Sequence, residues 1–194
     1  MIATFSGLLQ EILARPGPVR LVAVDGPGGS GKSTFARRLA AVSPHEVSVV
    51  HTDDFASPEE PIDWWPSCLS RALEPLAAGR PARFRRYDWE HLGWKEEITV
   101  DPRPVVIIEG VSSGRREWAD RLAMTIWIHA DRDLRLSRGL ERDGEHMAGV
   151  WSAWMAAEEE HYSRDPTRPR ADLVVDGNPD VPHHPETQFV VLGS

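Results

Sequence analysis

The chain has 194 residues, 41% of them hydrophobic and 27% charged, with a formal net charge of −8, which is the composition of a soluble globular chain able to bury a substantial core as one domain over 1–194. The acidic balance, with no dense basic block, excludes a nucleic-acid polymer or a membrane surface as the expected partner, and no apolar run approaches the length of a membrane span. A single cysteine, Cys68, excludes an internal disulfide and any multi-cysteine metal site; beside Leu69 it reads as a half-buried thiol. The opening MIATFSGLLQEILARPG lacks early positive charge and a small-residue cleavage site, so it does not read as a signal peptide, and the expected location is the cytoplasm.

In chain order, Phe5, Leu8, Leu9, Ile12 and Leu13 recur at helical spacing, with Thr4 or Ser6 as the cap, and Pro16-Gly17-Pro18 ends the helix. Leu21–Val24 is a short apolar run suited to a buried parallel strand. It runs into Gly26-Pro27-Gly28-Gly29-Ser30-Gly31-Lys32-Ser33-Thr34 and then a helical FARRLA segment that stops near Ser43-Pro44. Strand, glycine loop and helix in this order form the phosphate-binding P-loop pattern. Gly26, Gly28, Gly29, Ser30 and Gly31 let backbone N–H groups approach phosphate oxygens, and the helix start turns its positive dipole end on the same anion. Lys32 is read as a solvent-facing point charge for the β- and γ-phosphates, Ser33 as a Mg²⁺ ligand and Thr34 as part of the nucleotide-binding loop. A plain connecting turn is the competing reading, and the complete motif with both flanks outweighs it.

Val47–His51 reads as the second strand and delivers Thr52-Asp53-Asp54-Phe55 to its carboxyl end, the edge where open parallel sheets bind ligands. If the backbone stays extended there, Asp53 and Asp54 point to opposite sides. Residues 56–66 read as a loop. Ser67 caps a helix through Leu69, Leu73 and Leu76 that Gly79-Arg80-Pro81 closes. Phe84 and Arg85 pair with Ile98–Val100 as a projecting hairpin, carrying Tyr87, Asp88, Trp89, His91 and Trp94. A surface hairpin whose tryptophans pack on the domain and a pocket for a planar base are equally supported by these residue types. Val105–Ile108 is the clearest strand, and Glu109-Gly110 ends it; a carboxylate at that tip suits an acidic Mg²⁺ site, with helix capping as the alternative. A helix through Trp118 and Leu122 leads to a strand at Met124–Ile128. Asp131 caps a helix bearing Arg132, Arg135, Arg138 and Arg142, a pattern usual for a solvated face, and Gly144 reads as a hinge for a lid. Trp151, Trp154, Met155 and Tyr162, with Glu158 to Glu160, mark another helix. Asp172–Val175 is a short strand, Phe189–Leu192 a final one, and His183-His184 a solvated loop.

Taken together, the P-loop, the DDF after strand 2, the YDWEH segment, IIEG, RLSRGLERD and ADLVVDG resemble the uridine kinases, within the P-loop nucleoside and small-metabolite kinases, from about Arg20 to Asn178. The resemblance implies an α/β, P-loop NTPase-type three-layer fold: five parallel strands in order 2-3-1-4-5, helices on both faces, a small substrate-binding hairpin and a lid. It implies ATP-dependent phosphoryl transfer to a hydroxyl of a small acceptor, a pyrimidine nucleoside in the first instance, with ATP and Mg²⁺ as cofactors. Asp53 matches the general base, Glu109 with Ser33 the metal site, and Arg142 a catalytic lid arginine beside Lys32. Asp54, Asp63, Tyr87, His91 and Arg138 fall at or near acceptor-binding positions. The chain departs from the family at Ala56, where a tyrosine is usual, at Asp54, where a serine is usual, in the Tyr87–His91 spacing, and at Gly139, which replaces one of two adjacent arginines. Another metabolite or a nucleoside monophosphate, held by Arg85 and Arg86, is the alternative acceptor, and a non-catalytic nucleotide-binding regulator the alternative class. A homo-oligomer is compatible with the sequence.

Overall fold

The computed structural model describes residues 1–57, 60, 62–89 and 91–193. Residues 58, 59 and 61 of the expected 56–66 loop, Glu90 of the YDWEH segment and Ser194 lie outside them. The elements follow as β1 (Ile2–Thr4), α1 (Phe5–Ala14), β2 (Arg20–Asp25), α2 (Lys32–Val42), β3 (Val47–His51), α3 (Trp65–Cys68), α4 (Glu74–Ala77), β4 (Ala82–Asp88), β5 (Gly93–Val100), β6 (Val105–Glu109), β7 (Leu122–His129), α5 (Arg132–Asp143), α6 (Ala148–Arg164), β8 (Leu173–Asp176) and β9 (Gln188–Val190).

The central sheet runs β3-β6-β2-β7-β8, and each neighbouring pair is parallel. In terms of the five expected strands this is the order 2-3-1-4-5. Alternation along the strands divides the core in two. Val22, Val24, Val105, Ile107, Ile126 and Ile128 pack with Phe5, Ile12, Phe35 and Leu39 from α1 and α2. Leu21, Val50, Val106 and Ile108 pack on the other face with Trp64, Leu73, Leu76, Phe84 and Trp118. A strand buried on both faces needs an unbroken apolar run, which is why β6 is VVII. The register also fixes the site: Glu109 lies level with Val24 on one side and His51 on the other. The tip of β6 is therefore flush with the start of the P-loop.

Several expectations are corrected. The first three-residue strand was not foreseen; β1 pairs antiparallel with β9, and the final strand is Gln188–Val190, with only Val191 bridging on to Val175. Thr4 is the α1 cap, its Oγ1 accepting from the Gly7 N–H at 3.1 Å. The helix expected to start at Ser67 starts at Trp65 with Pro66 in its first turn, where a missing N–H costs nothing. It continues through a π-helical turn at Leu69–Leu73 into α4. The helix expected through Trp118 and Leu122 is only a 3₁₀ stretch at Arg116–Arg121. Trp118 adopts φ −135° there and buries its ring, donating Nε1 to Ser113 O at 2.8 Å, and Leu122 already belongs to β7. Cys68 is fully buried, and that burial pushes its thiol pKa up. Asp131 stands at the α5 cap position but makes no capping hydrogen bond.

Candidate active site

Asp25 ends β2 and is completely buried. Its Oδ1 accepts from the Gly26 N–H at 2.7 Å and the Tyr162 hydroxyl at 2.8 Å, and its Oδ2 from the Gly114 N–H at 3.0 Å. This one carboxylate ties the loop's first turn to the segment after β6 and to α6. The loop then turns through Gly29 at φ +76°, where a Cβ would stand 2.6 Å from the Arg135 carbonyl oxygen, so only glycine fits. The Ser30 Oγ is buried with no hydrogen-bond partner among the described residues. Lys32 is buried rather than solvent-facing, and its Nζ donates to Pro27 O across the loop at 3.0 Å. A turn that accepts only glycine, a lysine folded back over it and the first turn of α2 form a phosphate cradle by chemistry and shape.

Ser33 and Glu109 meet across this cradle, the Ser33 hydroxyl donating to Glu109 Oε1 at 3.1 Å. The other carboxylate oxygen, Oε2, lies 2.7 Å from His51 Nδ1. Burial would raise the Glu109 pKa, but the His51 hydrogen bond and the Lys32 charge hold it below the usual carboxylate value. The same bond raises His51. Glu109 is thus an anion in place, with one oxygen on the P-loop serine. Among the described residues no three His, Cys, Asp or Glu side chains cluster as a metal cage. One hydroxyl and one carboxylate, both hard oxygen donors, suit Mg²⁺, which keeps several waters and takes substrate phosphates as further ligands.

Asp53 stands on a 3₁₀ turn, Thr52–Asp54, that follows β3 directly. The backbone is not extended there, so alternation does not separate Asp53 from Asp54. What separates them is their surroundings. Asp53 is exposed at the surface, yet the protein atoms packed around its carboxylate, followed by the Glu109 charge, raise its pKa, while Lys32, His51 and Arg142 pull it down. Asp54 is also raised, first by burial, while the His51 and then the Arg86 charges pull it down. His51 acts on both, while Lys32 of the P-loop acts on Asp53 and Arg86 of the hairpin on Asp54. Trp89 reaches in from the hairpin and donates Nε1 to the Asp53 carbonyl at 3.1 Å, and its ring meets Trp154 of α6 at 6.3 Å between centroids. Tyr87 lies edge-on to both Trp89 and Trp94.

The other expected residues lie as follows. Arg138 spends its guanidinium on the Gly29 and Gly177 carbonyls and on Asn178 Oδ1, at 3.1–3.2 Å. Arg142 forms a two-pronged pair with Asp143 and lies over the Trp151 ring. His91 is largely exposed and pairs with Asp88 at 2.8 Å. Asp63 is exposed, 3.8 Å from Arg115. It lines a cleft of about 860 Å³ with Glu60, Ile62, Arg115, His161 and Asp165; none of Lys32, Ser33, Asp53 or Glu109 touches that cleft. Arg115 is buried there among Trp64, Trp65 and Trp118, its guanidinium 5.4–5.9 Å from each ring. Arg135, read as part of a solvated face, is buried and paired with Glu158. Sequence reasoning passed over Asp25, His51, Tyr162 and Glu158 as functional residues. Asp25 and His51 carried a signal, being polar residues at the carboxyl tips of strands; the other two are single polar positions on a helix and carried none.

Comparison with known proteins bears on this arrangement. The model of the phosphoribulokinase / uridine kinase family matches residues 54–183, more than half of the chain. A uridine kinase of Halobacterium salinarum is 23% identical over 180 residues, covering 81% of this chain and 80% of that protein. Two solved structures superpose with TM-scores of 0.68. One, from Bacillus stearothermophilus, is described as a possible uridine kinase, at 20% identity, covering 88% of this chain and 96% of the other. The second, from Silicibacter sp. TM1040, is described as a candidate fructose transport system kinase, at 22% identity and coverages of 89% and 98%. At these identities the superpositions speak for the fold. Among the described residues no helix is long and apolar enough to cross a membrane.

Proposed function

Because the chain belongs to the phosphoribulokinase / uridine kinase family, we propose that it moves the γ-phosphoryl group of ATP onto a hydroxyl of a small acceptor, in the first instance a pyrimidine nucleoside. The observation that carries the reading is the Ser33–Glu109 hydrogen bond across the phosphate loop at 3.1 Å, with the Asp53 carboxylate on the turn that directly follows β3, whose last residue lies level with Glu109. In this reading the P-loop amides and Lys32 hold the phosphates, with Lys32 exchanging Pro27 O for a phosphoryl oxygen. Ser33 and Glu109 hold Mg²⁺, which when bound neutralises phosphate charge. His51 keeps Glu109 turned to the serine.

Asp53 accepts the proton of the acceptor hydroxyl as its oxygen bonds to the γ-phosphorus and the bond to the ADP oxygen breaks. A switch protein has no need of such a base, which weighs against the regulatory reading. Arg142 sits one helical turn from the loop-binding Arg138 and is paired with Asp143; in this reading it exchanges that partner for the transferring group. The nucleoside is supported by Trp89, which reaches the Asp53 carbonyl and carries the Tyr87 and Trp94 rings behind it, aromatic surface that suits a planar base, and by the activity named for the Halobacterium relative. A different hydroxylated metabolite is favoured by Asp54 and Ala56, where the family pattern is not kept. For a monophosphate acceptor Arg85 is already committed to the Trp94 and Lys95 carbonyls at 2.7 Å, which leaves Arg86, whose Nε is buried with no hydrogen-bond partner among the described residues, to hold the phosphate. The test is acceptor-dependent ADP release from MgATP over a panel of nucleosides, nucleotides and sugars. Release with uridine or cytidine supports the nucleoside, release only with a sugar supports the second reading, and no acceptor-dependent release refutes the kinase.

A further inference from the structure

The phosphate loop is held at Gly28 by a residue of α6. Glu158 of α6 is almost wholly buried, at 1% side-chain exposure. Its Oε1 accepts from the Gly28 N–H at 2.8 Å, and its Oε2 lies 3.3 Å from Arg135 Nη1. The same Arg135 nitrogen lies 3.5 Å from Gly28 O, so both backbone polar groups of Gly28 face this pair. Close approach depends on glycine: a Cβ on Gly28 would stand 2.8 Å from Glu158 Oε1 and 3.3 Å from both Trp151 and Trp154. A second glycine seats the helix. Trp151 fills a notch at Gly139 of α5, where a Cβ would come within 2.3 Å of its ring, and its Nε1 donates to Asp143 at 2.9 Å.

An anion beside a phosphate site opposes phosphate binding unless it is neutralised. Lys32 and Arg135 together oppose that charge, while burial raises the Glu158 pKa, and what remains is a hydrogen bond that fixes one peptide of the cradle. An N–H held outward at Gly28 sets the plane from which the following amides turn inward. We propose that Glu158 is a positioning residue for ATP: by holding the Gly28 N–H it pre-orients the phosphate loop and makes nucleotide affinity depend on the docking of α6. The inference rests on the kinase reading, and its test separates the two.

A purely structural Glu158 would serve only to dock α6, so the variants must keep the helix docked. Glu158→Gln retains an oxygen that accepts from Gly28. Glu158→Leu combined with Arg135→Met removes both charges together, a replacement that well-packed sites tolerate or even gain from, and leaves the Gly28 N–H without its partner. ATP affinity is measured by calorimetry, beside the acceptor KM and the melting temperature. Glu158→Gln is expected to bind ATP within about threefold of wild type. The double variant is expected to melt near wild type, the removal of both buried charges offsetting the unpaired Gly28 N–H, to bind ATP at least tenfold more weakly, and to keep its acceptor KM; such a loss corresponds to about 1.4 kcal/mol, just below the roughly 1.5–3 kcal/mol of a hydrogen bond to a charged group. ATP binding by the double variant equal to wild type overturns the proposal, as does an equal loss of ATP and acceptor affinity. Wild-type protein that binds no ATP would instead count against the kinase reading itself.

Discussion

Replacing Gly139 by alanine sets two effects of known size against each other. Gly139 lies inside α5, where exchanging glycine for alanine normally stabilises by about 1 kcal/mol. Here the added methyl would lie 2.3, 2.4 and 2.7 Å from three Trp151 ring atoms, against the roughly 3.5–4 Å of a relaxed carbon contact. The ring must retreat by about 1 Å or more, and it has little room. Its Nε1 is bonded to Asp143, and its far edge already lies against Gly28. Overpacking of this kind costs about 1–3 kcal/mol, and the severity of the overlap puts it in the upper part of that range. The net expectation is a destabilisation of about 1–2 kcal/mol, or a melting temperature lower by roughly 2–8 °C at this chain length. Differential scanning calorimetry of Gly139→Ala and of Gly139→Ala with Trp151→Phe checks it, since the smaller ring should restore most of the loss. A single variant that melts higher than wild type by the helix-propensity increment would refute the packing of α6 on α5.

Other expectations follow from the same geometry. Lys32→Met should reduce turnover by at least a hundredfold, because transition-state charge on the phosphoryl oxygens goes uncompensated. The buried Nζ–Pro27 contact makes a modest fall in melting temperature accompany it, and near-normal turnover would sink the P-loop assignment. Glu109→Gln should raise the Mg²⁺ concentration needed for half-maximal rate, and an unchanged Mg²⁺ titration would leave Glu109 as a structural partner of His51. The kcat/KM–pH profile should lose activity on acidification through an apparent pKa above the usual carboxylate value of about 3.9. The sign follows from Asp53: its pKa is raised, so the proton-accepting carboxylate is present above that pKa and lost below it. A rate that stays flat down to pH 4 would remove Asp53 from the base role.

The sheet could be read from the chain because its strands are continuous apolar runs, and the P-loop because its glycines, lysine and serine sit between a strand and a helix. Glu109 followed from the same logic, as the first polar residue after VVII. Other features needed the third dimension. β1 is three residues long with Ile2 42% exposed, so it has no periodicity to detect and exists only because β9 lies beside it. The DDF segment looked like the end of an extended strand, whereas its 3₁₀ turn makes position along the chain a poor guide to direction. Glu158 stands first in a run of three glutamates, and Arg135 in a row of arginines. Both patterns ordinarily mark solvated faces, and only the docking of α6 over α5 and the P-loop buries one member of each. Gly139 looked like the loss of an arginine; in the folded chain it is the space that Trp151 occupies.

The central claim is that Asp53 takes the acceptor's proton during phosphoryl transfer, and one comparison tests it most directly: kcat of Asp53→Asn beside its ATP affinity, with Asp54→Asn measured in parallel. The asparagine keeps the shape and removes the base. The account predicts ATP binding near wild type and kcat lower by roughly a hundredfold or more, the usual scale for a lost general base, with Asp54→Asn falling well short of that loss and acting mainly on acceptor KM. An active Asp53→Asn enzyme beside an inactive Asp54→Asn enzyme would contradict it and move the base to Asp54.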